Sequence, residues 1–189
     1  MALLIAGLLL FLGIHSISIV APATRDRWAA TLGANAWRGL YSLLALAGFI
    51  VLAVGYKVAR RSPGLLYMPP PWLHPVALLL MVPVFPLLLA SGLPGSIKSA
   101  VGHPMLTAVM LWALAHLLAN GRMADVLLFG GFLLWSVVDR LSFLRRVARP
   151  LKTAPPGRWN DLIAVAAGLA IYAAVLLWLH ALIIGVRPT

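Results

Sequence analysis

His103-Pro104-Met105-Leu106-Thr107-Ala108-Val109-Met110-Leu111-Trp112-Ala113-Leu114-Ala115-His116-Leu117-Leu118-Ala119-Asn120-Gly121 is apolar enough to lie in a lipid bilayer, yet it carries two histidines. An ionisable group in the hydrocarbon costs a few kcal/mol by insertion scales. Leu or Ala would sit there more cheaply, so the two imidazoles need a reason. The rest of the chain sets the same scene. Of its 189 residues, 62% are hydrophobic and 10% charged, and the mean hydropathy is +0.99. A soluble domain carries about 25% charged residues, and this chain is too poor in them to cover a water-facing surface. The expectation is an integral membrane protein, with the length of a single domain spanning 1–189.

A bilayer core about 30 Å thick takes about 20 apolar helical residues to cross. Six stretches qualify: Ala2–Val20, Trp37–Val58, Trp72–Gly92, His103–Asn120, Val126–Leu141 and Leu162–Gly185. Pro22, Ser62-Pro63-Gly64, Pro69-Pro70-Pro71, Gly92 with Pro94-Gly95, Asn120-Gly121 and Pro155-Pro156-Gly157 punctuate them. The fold class is therefore all-α, a polytopic bundle of about six transmembrane helices. Pro83 and Pro86 predict a kink in the third span, with freed carbonyls that need donors. Small residues let membrane helices approach closely. Gly13, Gly39, Gly48 and Gly168 are scattered through the spans, and Gly130-Gly131 is the strongest candidate for close packing. The first span lacks a preceding basic region, which argues against a cleaved secretory signal.

The net charge of +11 comes from 15 Lys and Arg against four Asp and no Glu. The positives sit in short loops between apolar spans, which points to lipid headgroups rather than nucleic acid. With the N-terminus outside, the inner side holds Arg25, Arg27, Arg38, Lys98, Arg140, Arg145, Arg146, Arg149, Lys152 and Arg158. The outer side then holds Lys57, Arg60, Arg61, Arg122 and Arg187. Ten against five puts both termini outside. Asp125 lies near Arg122 and Asp161 near Arg158, where local pairing or capping is expected. One semi-buried Asp139 and no Glu supply proton-coupled transport poorly. The chain has no cysteine, which rules out disulfides, thiolate ligation, covalent c-type haem and cysteine nucleophiles.

Five histidines remain: His15, His74, His103, His116 and His180. None lies three or four residues from another, so no compact zinc site forms on one helix. His103 and His116 are 13 residues apart, about 20 Å of helical rise, and point to nearly opposite faces. A site using His116 needs a histidine from another helix. Trp112 and Asn120 share its face, as walls of a cofactor pocket or as packing and capping residues. His15 stands beside Gly13, Ser16 and Ser18, a polar patch that has to face the bundle. Simple depth pairs His15 with His103, or His116 with His74 or His180.

Four blocks then resemble a known family. They are Leu12-Gly13-Ile14-His15-Ser16, Arg38-Gly39-Leu40-Tyr41-Ser42, the His103–Gly121 stretch, and Leu127-Leu128-Phe129-Gly130-Gly131-Phe132 with Trp135 and Asp139-Arg140. Together they are similar to the NnrU family of bacterial membrane proteins, over about residues 3–146, leaving the last helix at about 162–185 without a named motif. The resemblance implies a multi-pass protein of the bacterial inner membrane linked to denitrification and nitric oxide or nitrite metabolism. NnrU proteins are in turn similar to plant 15-cis-ζ-carotene isomerase, a haem b enzyme whose two haem-ligand histidines match His15 and His116. By that carry-over the cofactor is haem b, its iron ligands are His15 and His116, and Trp112, Asn120, Tyr41 and His103 are nearby candidates. If the chain is an enzyme, it is a haem-dependent cis–trans isomerase of an apolar polyene or a redox enzyme. The isomerase has Cys where this chain has Ala113, which sets isomerisation in doubt. The alternative is a non-enzymatic membrane factor that helps assemble a respiratory reductase. The His103-Pro104 motif is also similar to membrane methyltransferases, but their S-adenosylmethionine site uses acidic residues and this chain has no Glu.

Overall fold

The computed structural model describes residues 1–61, 64–146 and 153–188. Ser62, Pro63, Arg149 and Lys152, named above as breakers and charge markers, lie outside the described residues. In chain order the helices are α1 (Ala2–Val20), α2 (Pro22–Leu32), α3 (Ala34–Ala59), α4 (Leu73–Met81), α5 (Val84–Gly92), α6 (Ser96–Val101), α7 (Pro104–Ala119), α8 (Met123–Ser142), α9 (Asn160–Ala174), a π-helical turn (Val175–Leu179) and α10 (His180–Ile184). Among the described residues the only extended pairing is an isolated antiparallel bridge between Leu65 and Arg122, so the chain is all-helical, as its sequence predicts. Among the described residues four helices are long and apolar enough to cross a membrane: Ala2–Val20, Ala34–Ala59, Leu73–Gly92 and Asn160–Ile184. Pro104–Ala119 is apolar but shorter. Met123–Ser142 has the length but carries Asp125, Asp139 and Arg140.

The chain forms two compact units. The first joins Met1–Pro69 with Asn120–Ser142. Its centre is the antiparallel pair α1 and α3. A Cβ added at Gly7 would stand 2.5 Å from Leu52 Cα, at Gly48 2.9 Å from Phe11 Cα, and at Gly55 2.6 Å from the Leu4 nitrogen. The contacts climb one helix as they descend the other, and each sets a glycine against a larger residue, so the backbones nearly touch. Gly130-Gly131 does not make the expected close approach. A Cβ at Gly130 meets nothing within 4 Å, and one at Gly131 meets a Leu8 methyl at 3.4 Å. The physical reason is that α8 packs on α1 through side chains, not backbone. Pro22 opens α2 at a position where its missing N–H is no loss, and Gly33, at φ +82°, separates α2 from α3.

The second unit joins Pro70–Ala119 with Phe143–Thr189. The expected kink is there, at Val82-Pro83 between α4 and α5. Pro83 has no N–H for the Leu79 carbonyl, and Val82 N–H takes that acceptor instead, at 3.2 Å. The Leu78 carbonyl, which Val82 would otherwise serve, accepts the Tyr172 hydroxyl from α9 at 2.9 Å. Pro86 sits in the first turn of α5, and a Cβ at Gly168 would strike its backbone, so α9 lies directly on the kinked segment. Val84, Leu87 and Ala108 form the buried core, with Trp112 packed against it. Asp161 accepts the Ser96 and Ile97 N–H groups at 2.7 and 3.1 Å, capping α6 rather than pairing with Arg158. Asn160 Nδ2 donates to the Pro94 and Pro155 carbonyls.

Candidate functional site

In the first unit, His15 is half-buried on α1 among aromatic rings. Phe11 lies 4.4 Å away by ring centroids, Tyr41 presents an edge at 5.5 Å and Trp135 an edge at 6.0 Å. Tyr41 comes from α3 and Trp135 from α8, so three helices meet around this imidazole. Trp135 Nε1 donates to Ser16 Oγ at 3.2 Å, and Ser16 Oγ donates to the Leu12 carbonyl, which anchors the indole beside the histidine. His15 Nδ1 stands 2.6 Å from the Phe11 carbonyl. A carbonyl only accepts, so Nδ1 carries the proton and Nε2 carries the lone pair. The sequence reading named His15 and Tyr41 but not Phe11 or Trp135 as neighbours. Trp135 belonged to a recognised block, yet no spacing rule joins residues 15 and 135.

In the second unit, His116 repeats the arrangement. Its Nδ1 stands 2.8 Å from the Trp112 carbonyl, again four residues back, and the Trp112 ring lies 5.3 Å away. The shared face read from the sequence therefore holds for Trp112. Asn120 lies just beyond the last residue of α7, and its carbonyl, in the first unit, accepts the Tyr67 hydroxyl at 2.9 Å. Burial, then the charge of Asp125, raises the Tyr67 hydroxyl above its usual range, so it stays a donor at neutral pH. The neighbouring Gly121 carbonyl accepts the N–H groups of Leu66 and Tyr67. A Cβ at Gly121 would collide with the Tyr67 carbonyl, which accounts for the glycine after Asn120.

The other histidines are engaged differently. His103 stacks on Phe143, with centroids 4.0 Å apart, and the Arg146 guanidinium stands 3.9 Å over the same ring. His74 uses Nε2 to donate to the Pro188 carbonyl at 2.6 Å, and His180 donates Nδ1–H to the Val186 carbonyl at 2.6 Å. Both therefore hold the C-terminal tail. Among the described residues no group of three or more His, Cys, Asp or Glu gathers as a metal site. A haem iron asks the protein only for axial ligands, and a neutral imidazole whose Nδ1–H is held by a carbonyl is the form that ligates through Nε2.

Asp125 departs from expectation. It is 3% exposed and accepts the Tyr56 hydroxyl at 2.6 Å, while Arg122 donates to the Arg60 carbonyl at 3.0 Å. Burial between α3 and α8 favours the rigid phenol over a flexible surface guanidinium.

No curated protein and no solved structure matches the chain. The family described as NnrU protein matches residues 3–188. That span takes in the His15, Tyr41, His116 and Trp135 blocks and extends through the last helix, beyond the region where motifs are legible. The chain belongs to the NnrU family.

Proposed function

We propose that this NnrU-family chain is a multi-pass haem b protein of the bacterial inner membrane, in which His15 and His116 would be the side chains that hold the haem. The observation that carries this reading is the common setting of the two imidazoles. Each donates Nδ1–H to the carbonyl four residues back, at 2.6 and 2.8 Å, and each has an aromatic ring from that same residue beside it. The donor chemistry fits a b-type haem, which neutral imidazoles can hold without covalent attachment. His74 and His180 are committed to the C-terminal tail.

Bound there, haem b supplies one-electron chemistry, in keeping with the nitric-oxide-linked role that the family resemblance implies. The chain's part is to fix the two tautomers and surround the His15 ring with Phe11, Tyr41 and Trp135. One-electron chemistry fits better than polyene isomerisation, because fully buried Ala113 offers no thiol where the isomerase has one. We also propose six crossings with both termini outside. The Tyr56–Asp125 and Ser16–Trp135 contacts support α8 as a crossing, since they tie its two ends to opposite ends of the α1–α3 pair.

Reduced-minus-oxidised spectra of the full chain, purified after haem-replete expression, test the haem reading. A b-type band is expected. His15→Ala and His116→Ala each remove or shift it, and His74→Ala and His180→Ala retain it. Absence of the band, or an unchanged band in both His15→Ala and His116→Ala, overturns the reading.

A further inference from the structure

The connection between α1 and α3 carries a charge pattern that the haem reading does not use. From Pro22 to Arg38 the chain places Arg25, Arg27 and Arg38 against one acid, Asp26. The flanking helices, Ala2–Val20 and Ala34–Ala59, are each long and apolar enough to cross a membrane. They pack antiparallel, so the connection sits at one end of the pair, at the level where a crossing chain meets headgroups. Asp26 pairs with Arg25 at 3.0 Å, and the Arg25 guanidinium stands 5.7 Å from the Trp37 ring centroid. Arg27 and Arg38 donate only to neutral oxygens, those of Thr24 at 3.2 Å and Asn35 at 3.5 Å. Both side chains are exposed. Trp28, half exposed, lies 6.1 Å from buried Trp37 by ring centroids. The segment thus sets the Arg25 guanidinium and an amphipathic indole beside one buried indole, with Arg27 and Arg38 exposed on the same connection.

We propose that this elbow binds an anionic phospholipid, with Arg27 and Arg38 on the phosphodiester, Arg25 behind them and Trp28 at the glycerol level. Charge complementarity selects the partner. The guanidinium fork matches phosphate oxygens, and a headgroup is the anion present in quantity at that depth. The proposal does not rest on the haem reading.

Native mass spectrometry of the full chain, released from detergent containing equal phosphatidylglycerol and phosphatidylcholine, tests it. The wild type should retain phosphatidylglycerol in preference by about thirtyfold, the order expected from two surface arginines at roughly 1 kcal/mol each. Arg27→Gln with Arg38→Gln should abolish most of that preference, and Arg27→Lys with Arg38→Lys, which keeps the charge without the fork, should retain part of it. If the glutamine pair does not fold, the single variants carry the same test, each expected to lose about fivefold. Arg61→Gln with Arg187→Gln removes equal charge elsewhere and should change nothing. Inorganic phosphate in excess should not displace the lipid. Equal retention of the two lipids, an equal loss in the Arg61 and Arg187 pair, or displacement by phosphate overturns the proposal.

Discussion

Residues near in sequence and residues near in space tell different stories in this chain. The i−4 partner of His116 was legible, because a helix dictates which residue lies one turn back; Phe11, at the same offset from His15, went unnamed. Trp112 beside His116 followed from that rule. Tyr41 and Trp135 beside His15 did not, because each comes from another helix, and only block resemblance had marked them. Asp125 shows the limit most clearly. Its place in the sequence suggested Arg122, three residues away, but its partner is Tyr56, 69 residues away. A hydrogen bond to a buried carboxylate contributes about 1.5–3 kcal/mol. Tyr56→Phe should therefore lower the thermal midpoint in detergent clearly. Asp125→Asn, which keeps an acceptor oxygen, should lower it less. Tyr56→Phe with Asp125→Leu should cost less than the two single changes summed. Strict additivity in that cycle removes the hydrogen bond as the link between α3 and α8.

At the scale of the helix, apolar runs and breakers located every long helix to within a few residues. They missed α2 and α6, which lack the apolar length that marks the spans and stand out only through their boundaries, Pro22, Gly33 and Gly102. Which glycines pack closely was not legible either. A helix apolar all round carries no stripe to say which face meets its neighbour. The contrast is testable. Gly48→Ala and Gly168→Ala put a methyl against backbone that has no room for it, and overpacking of that kind costs about 1–3 kcal/mol. Gly130→Ala enters open space and should be neutral or stabilising by up to about 1 kcal/mol, from helix propensity alone. Thermal unfolding in one detergent ranks all three, and equal effects would contradict the packing described. The kink offers a second check. Tyr172→Phe leaves the Leu78 carbonyl without its donor, and loss of about 1–2 kcal/mol is expected. An unchanged midpoint would mean that another donor serves that carbonyl.

At the scale of the whole chain, hydropathy and the charge count argue for six crossings with both ends outside, while length and composition mark four helices outright. The two arrangements differ in where α7 and α8 turn. If neither crosses, residues near Gly121 share a side with the α6 connection around Ser99. If both cross, Gly121 lies on the opposite side from Ser99 and on the same side as the Arg60–Tyr67 connection. Within the first unit that connection is bonded to Gly121: Leu66 and Tyr67 N–H both reach the Gly121 carbonyl, and Arg122 reaches the Arg60 carbonyl. The helix before it, α3, is one of the four that can cross, and so is the α4–α5 segment after it. Those bonds support the proposed six crossings, which require Gly121 on the side of that connection and opposite Ser99. Paired reporters inserted after Ser99, after Gly121 and after Pro188 test this directly. A phosphatase active only outside the cytoplasm should work at Gly121 and Pro188 and fail at Ser99, and a fluorescent protein that matures only inside should show the reverse. Fluorescence at Gly121 together with Ser99 would return the chain to four crossings. Fluorescence at Gly121 and Pro188 without Ser99 would keep six crossings and invert the orientation that the arginine and lysine balance implies.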